Sequence, residues 1–416
     1  MANFLEKFRA FFQQELNDDF VKGSKAFCIL PWVHLHITQY GTVTPCCQAP
    51  WEESEAFGNI NRTSIEEIWN GEAIRAFRKK MMRDEGDKRC KRCYAKEAAG
   101  LMSLREVMNR TYKHKLDWVR KTKRNGYSKE SQPIYWDIRF SNLCNFRCRI
   151  CGPWSSSNWA SDAKALGYMS KDQPALTRAL EDFDSVLSQL EGYVGEVEEV
   201  YFAGGEPLLM EEHYRLLDFL IAHKRFDVLL RYNTNFSVME YKGRSIFDLW
   251  NRFDRVMVCA SLDDQGKKGE YQRKGQVWEE VLANRQALAE RCPNVHFMVS
   301  PTVSVLNVLS LPAFHREWVE RGFIDVKDFW PNILEQPEYY NVRILSMEVK
   351  ERVRALYERH VEWIEGQESL DGYVKGLVAK EFGSVVEYMM QEDWRERWWE
   401  EFVRRQGELD GLRGEE

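Results

Sequence analysis

Three cysteines, Cys144, Cys148 and Cys151, fall within eight residues at C-x3-C-x2-C spacing, directly after a strand-like run over 134–140. Three thiolates on so short a span can hold three irons of a 4Fe-4S cube, which takes four when saturated, and so leave one iron open to another ligand. Structural zinc wants four protein ligands and favours C-x2-C pairs, while a disulfide would strand one thiol. Whatever this chain folds into must therefore present a cysteine loop at the end of a strand.

Further strand-like runs follow, each ending in polar residues. The run 197–202 leads into Ala203-Gly204-Gly205-Glu206-Pro207, where two glycines let backbone approach a ligand and a carboxylate beside them can bind an ammonium. The run 228–232 leads to Asn233-Thr234-Asn235, and 256–260 to Ser261-Leu262-Asp263-Asp264. Arg273 stands before a helical stretch, and 295–299 runs on to Thr302-Val303-Ser304 with Asn307 beyond. Polar groups at the C-terminal ends of parallel strands are where such sheets bind ligands. Taken singly, each Ser, Asn or Asp is also ordinary turn or cap chemistry.

In this order the motifs resemble those of the radical SAM superfamily. The resemblance implies a partial (β/α)6 barrel over about 133–340 and a 4Fe-4S cluster on Cys144, Cys148 and Cys151. It also implies S-adenosylmethionine held near Gly204, Gly205, Glu206, Asn235, Ser261, Arg273 and Asn307, with Glu206 toward its ammonium and Arg273 toward its carboxylate. The implied activity is reductive cleavage of that cofactor to a 5′-deoxyadenosyl radical, which abstracts hydrogen from a substrate carbon, the electron coming from flavodoxin or ferredoxin. The cofactor carries the hard chemistry, so protein groups orient and shield.

Five more cysteines precede this region: Cys28, Cys46, Cys47, Cys90 and Cys93, in a context of Tyr40-Gly41-Thr42-Val43-Thr44-Pro45-Cys46-Cys47 and Cys90-Lys91-Arg92-Cys93. The pattern is similar to the SPASM/twitch auxiliary-cluster domains, placed here before the barrel and not after it. That implies a second 4Fe-4S cluster on Cys28, Cys46, Cys90 and Cys93, with Cys47 as spare or substitute; a zinc ribbon is the other reading. Cys259 and Cys292 are expected to be core thiols. His34 and His36 project to one face of a strand and are expected to line this domain.

Residues 71–130 carry 19 Lys and Arg against 8 Asp and Glu, an excess of +11 in a chain of net charge −6, so the remainder carries −17. Lys113, Lys115, Arg120, Lys121, Lys123 and Arg124, with Tyr112 and Trp118 between, suit a polyanion or a solvated helical face alike. The substrate is accordingly read as a group carried on a larger molecule, either a nucleic-acid- or nucleotide-linked base or a peptide to be oxidised or cross-linked. A non-catalytic iron-sulfur carrier would have no use for Glu206 or Arg273.

Ten cysteines without disulfide-like spacing and no apolar run longer than a strand point to a cytoplasmic enzyme without membrane contact. The expected organisation is an α/β chain. It has an N-terminal helix over 1–23 with a Phe4, Phe8, Phe11, Phe12 and Leu16 stripe, a cluster domain over 24–100, a basic linker over 101–132, the barrel, and amphipathic helices over 341–416.

Overall fold

The computed structural model describes residues 21 and 23–415 except 99, 101 and 369. The expected N-terminal stripe lies outside the described residues.

Five strands alternate with helices and pair in parallel in chain order: β4 (Tyr135–Ile138), β6 (Glu199–Phe202), β7 (Leu229–Thr234), β10 (Arg255–Ala260) and β12 (Val295–Val299). A sixth position is filled by a parallel bridge from Val299 to Phe329 and by the short parallel pair of β13 (Thr302–Val303) with β14 (Asn332–Ile333). The result is an open α/β barrel of six strand positions. Side-chain alternation explains why it closes around polar groups. Trp136, Val200, Leu230, Val258 and Phe297 face the helices and join one large apolar cluster. Their neighbours Asp137, Tyr201, Arg231, Cys259 and Met298 face the other way, into the barrel.

The upstream domain continues the same sheet. β1 (His34–Ile37) pairs in parallel with β4, setting His36 opposite Asp137, and the antiparallel strands β2 (Thr42–Thr44) and β3 (Gly58–Asn59) extend the edge. Its helices Ile65–Trp69 and Leu104–Thr111 each begin with a capping box, on Ser64 with Glu67 and on Ser103 with Glu106.

The stretch 101–132 differs from a linker. Helices Leu104–Thr111 and Leu116–Arg120 bury Met108, Tyr112, Leu116 and Val119 in one core with Phe27, Trp32, Phe77 and Ile134. Its apolar positions at helical spacing decide this, while the cations occupy the outer face. Several of those cations are paired within the chain: Lys115 with Glu198 at 2.8 Å, Lys121 with Glu130 at 2.8 Å and Arg120 with Asp117 at 2.7 Å.

At the C-terminus, helices Met347–Glu365 and Gly372–Gln391 form a hairpin on the main core, burying Val353, Tyr357, Phe382 and Val385. The last helix, Arg395–Arg413, turns back and ends against the cysteine loop. There Asp410 and Glu415 each accept from Arg149 at 2.5 Å, and Arg413 meets Asp162 at 2.7 Å. No described helix is long and apolar enough to cross a membrane.

Candidate active site

The cysteine loop leaves β4 and returns through the two-residue ribbon of β5 (Arg147–Cys148) and β11 (Arg273–Lys274). Cys144, Cys148 and Cys151 are packed together around Phe146, and no fourth cysteine joins them among the described residues. The loop is pinned by Trp159 Nε1 donating to the Cys148 carbonyl at 2.8 Å and by Ser156 Oγ donating to the Phe146 carbonyl at 2.5 Å. Burial pushes the Cys144 thiol up to about 12. A hydrogen bond with Cys151 lowers Cys148, and the same bond raises Cys151. Three thiols packed together, Cys144 and Cys148 buried and Cys151 half-buried, are a donor set that a cation can deprotonate and bind, so the residues fit an iron-sulfur cluster with an open iron.

The Gly-Gly-Glu-Pro turn meets that loop directly. Gly205 adopts φ +52°, and a Cβ there would lie 2.2 Å from the Leu143 carbonyl, which already accepts from Glu206 N–H at 2.7 Å. Only glycine permits this approach. Glu206 is fully buried and accepts from Leu208 N–H at 3.1 Å, Thr234 Oγ1 at 2.7 Å and Asn235 N–H at 2.7 Å. Burial pushes its carboxyl up to about 7 against these donors. A carboxylate has about four lone-pair directions, so roughly one remains for an ammonium.

The other expected cofactor residues are reached unequally. Arg273 sits opposite Cys148 in the ribbon, 3.7 Å from its sulfur, and is paired with Asp263 at 2.8 Å. Asn235 spends its amide on Asn145 Oδ1 at 2.8 Å and accepts from Ser237. Ser261 is half-buried at the end of β10, its backbone N–H donated to the Thr234 carbonyl. Asn307 is committed to its own loop: it donates to the Asp263 and Thr302 carbonyls at 2.8 and 2.9 Å and accepts from Ser304 N–H. Asn307 therefore shapes the loop that presents Asp263, and its two N–H donors are already spent.

Cys28, Cys46, Cys90 and Cys93 line one cavity together with Phe77, Leu104, Arg89 and Arg105. Cys47 is not among its walls. It lies within electrostatic reach of Asp137 and Arg139, and burial pushes its thiol up to about 11. Four sulfurs around one cavity fit a fully ligated cluster, and equally satisfy the four-donor rule for zinc.

Between the two cysteine sets lies a buried polar group that the separate motifs did not reveal. His36 Nδ1 approaches Asp137 at 2.9 Å, His34 Nε2 at 3.8 Å, and Arg139 grips the same carboxylate at 2.7 Å while stacking on Tyr201 at 4.7 Å. Deeper in, Arg231 pairs with Glu199 at 2.9 Å and Tyr112 donates to Glu199 at 3.0 Å. The signal was available as a polar residue at every second strand position: Asp137 and Arg139, Glu199 and Tyr201, Arg231 and Asn233.

Comparison with known proteins adds three facts. Residues 28–94 match the family model of SPASM, an iron-sulfur cluster-binding domain. No curated protein matches the chain. Among solved structures, native anSMEcpe with bound AdoMet is similar at 14% identity and a TM-score of 0.39, over 55% of this chain and 61% of that one. Streptococcus suis SuiB bound to precursor peptide SuiA is similar at 13% identity and a TM-score of 0.40, over 80% and 70%. TYW1 with a lysine-pyruvate adduct bound is similar at 15% identity and a TM-score of 0.31, over 55% and 71%. The chain thus spans about three fifths of the anSMEcpe structure it matches.

Proposed function

We propose that the chain is a radical SAM enzyme that abstracts a hydrogen atom from a carbon of a peptide substrate, with a second cluster in its N-terminal domain. The observation that supports this most is the pairing of a three-thiol loop with the Gly204-Gly205-Glu206 turn: the loop leaves one iron unligated, and the turn touches that loop through Leu143.

In this reading Cys144, Cys148 and Cys151 hold the open cluster. Glu206 and Arg273 stand at the amino and carboxylate ends of S-adenosylmethionine. When bound, the reduced cluster and that cofactor supply a 5′-deoxyadenosyl radical able to take hydrogen from an unactivated carbon. Asp263 keeps Arg273 in place beside Cys148, and the turn at Gly205, which has no Cβ, lets backbone approach without a side chain intervening. Asp137, Arg139 and Tyr201 form the polar wall that the substrate meets. Cys28, Cys46, Cys90 and Cys93 would hold the auxiliary cluster, which can accept an electron from the substrate and so make the outcome an oxidation or a cross-link.

The peptide is preferred to a nucleic-acid-linked base for a specific reason. The polyanion reading rested on the basic stretch, and there Lys115 is answered by Glu198 from outside the stretch, while Arg120 and Lys121 are engaged locally by Asp117 and Glu130. The test is anaerobic incubation of reconstituted, reduced protein with S-adenosylmethionine. 5′-Deoxyadenosine should form, and mass spectrometry of peptides and nucleosides from cells with and without the gene should differ in the peptides. No 5′-deoxyadenosine from iron-replete protein would overturn the reading.

A further inference from the structure

Strand β1 carries histidines at alternate positions, and its register sets them against one carboxylate. Side chains two apart on a strand share a face, so His34 and His36 project together, and His36 stands opposite Asp137 on β4. Leu35 and Ile37 join the main apolar cluster, which turns both histidines the other way, toward the barrel interior. His34, His36 and Asp137 are 5%, 2% and 0% exposed, so water does not serve them freely. A ring nitrogen of each histidine and a carboxylate oxygen of Asp137 all lie within 4.8 Å of one another.

Hydrogen bonding inside this group is incomplete. His34 Nδ1 lies 3.3 Å from the Pro45 carbonyl, which only accepts, so the neutral ring carries its proton on Nδ1 and its Nε2 presents a lone pair. That lone pair looks at Asp137 Oδ2 from 3.8 Å, acceptor against acceptor and beyond hydrogen-bond reach. His36 Nδ1 is 2.9 Å from the same oxygen but off the line of a hydrogen bond. Both ring nitrogens are thus buried without a hydrogen-bond partner, an uncommon state that points to an ion or a water completing them. The distances suit an ion. Ligands about 2.0–2.1 Å from a tetrahedral zinc stand roughly 3.4 Å from one another, and the pairs at 2.9 and 3.8 Å bracket that separation. The Pro45 carbonyl does for His34 what outer partners do for metal-bound imidazoles: it fixes the tautomer and aims the other nitrogen. Arg139 takes one direction on each carboxylate oxygen, at 2.7 and 3.0 Å, of about four that the group offers.

We propose that His34, His36 and Asp137 bind a divalent transition-metal ion of the zinc or ferrous kind, separate from both cysteine sets. Two imidazoles and one carboxylate are a donor set for such ions, and three protein ligands leave a further position for water or a substrate oxygen. The site stands on the barrel side of the sheet beside Arg139 and Tyr201, where a metal would act as a Lewis acid on an oxygen of whatever enters. It contains no cysteine, so it does not depend on the proposed clusters.

The experiment uses the full chain, reconstituted with iron and sulfide so that the cysteines are occupied, and then dialysed against zinc. One zinc per chain should bind in addition to the iron, and X-ray absorption at the zinc edge should show imidazole scattering with nitrogen and oxygen at about 2.0–2.1 Å. Loss of an outer partner alone typically weakens metal binding about 10–100-fold, so His34→Gln and, separately, His36→Gln should each weaken zinc binding at least about tenfold at matched iron and sulfide content. Zinc should raise the melting temperature of wild type and not that of either variant. Where a variant fails to fold, the zinc shell of the wild type decides alone. No zinc bound, a shell of sulfurs alone near about 2.3 Å, or equal affinity in wild type and both variants would overturn the site while leaving the radical enzyme reading intact. Zinc held through imidazole in protein that takes up no iron would support the site and count against that reading.

Discussion

Asn235 donates its backbone N–H to Glu206 Oε2 at 2.7 Å, across 29 residues of chain. Thr234 Oγ1 holds the other oxygen at 2.7 Å. The carboxylate therefore ties the end of β7 to the Gly204-Gly205 turn while keeping about one lone-pair direction open. Glu206→Gln places an amide N–H₂ where at least one donor already points, two at Oε1 or one at Oε2, so it should cost more than the loss of one ammonium partner, whose charge-assisted bond is worth about 1.5–3 kcal/mol. The expected result is roughly tenfold or greater weakening of S-adenosylmethionine binding with cluster iron retained, accompanied by a lower melting temperature. Titration and thermal unfolding of iron-replete protein check both, and unchanged affinity would move the cofactor site elsewhere.

The two cysteine sets should be separable by metal content. Reconstituted protein is expected to hold about eight irons, and the triple change Cys144→Ala, Cys148→Ala, Cys151→Ala about four, because each set suffices for one cube. The cavity walls sharpen this further. Cys46→Ala should remove the auxiliary cluster's iron, whereas Cys47→Ala should leave it, since Cys46 lines the cavity and Cys47 does not. Iron, sulfide and zinc analysis of the four proteins decides it, and zinc bound by the upstream set would end the auxiliary-cluster reading.

What the sequence made legible was local. The cysteine spacing, the Gly204-Gly205 turn and the strand ends are short-range patterns whose chemistry is carried by neighbours in the chain. Contacts between distant segments left no such trace. Arg273 was legible as a cation before a helix, but the Asp263 that holds it beside Cys148 belongs to a separate turn at the end of β10. Asn307 was legible as a polar residue beyond a strand end, but its bonds to the Asp263 and Thr302 carbonyls were not. The last helix was legible as amphipathic, yet its effect at the site comes from Asp410 and Arg413, which meet Arg149 and Asp162 some 250 or more residues away. The basic stretch shows the same limit from the other side: its charge density was countable, but the carboxylates that answer it come from other elements as well as its own.

That pairing of individual cations gives a prediction of its own. Binding of a single-stranded oligonucleotide should be weak and only shallowly salt-dependent, because each phosphate truly neutralised would contribute a slope of roughly −0.7 in log–log terms. Replacing Lys113, Lys115, Lys121, Lys123 and Arg124 with glutamine should leave 5′-deoxyadenosine formation unchanged. Fluorescence anisotropy across a salt series measures the slope; a slope corresponding to several phosphates, abolished by the replacements, would restore the nucleic-acid substrate.

A buried histidine pair sets an acid limit on stability. His360 Nε2 and His315 Nδ1 are 2.9 Å apart, and His315 Nε2 lies 3.0 Å from the Val326 carbonyl. Since that carbonyl only accepts, His315 carries its proton on Nε2 and receives one from His360, leaving no place for a second charge. The surroundings agree: Phe329, Trp363 and Phe382 pack around the rings, and the charge that acts on His360 among the described residues is the Arg316 guanidinium. Burial first, and then that cation, push His360 down to about 3, and burial also lowers His315. Between about pH 6.5 and pH 3 the unfolded chain binds protons that the folded chain refuses, so stability is full above pH 6.5 and declines as pH falls. At pH 5 the loss is about 2 kcal/mol for one such histidine, from 1.5 pH units at 1.36 kcal/mol each. His360→Gln keeps an N–H donor toward His315 without a titrating ring, so denaturant unfolding at pH 7 and pH 5 should show a smaller acid loss in the variant than in wild type. An identical loss in both would mean that other groups, and not this pair, govern the acid limb.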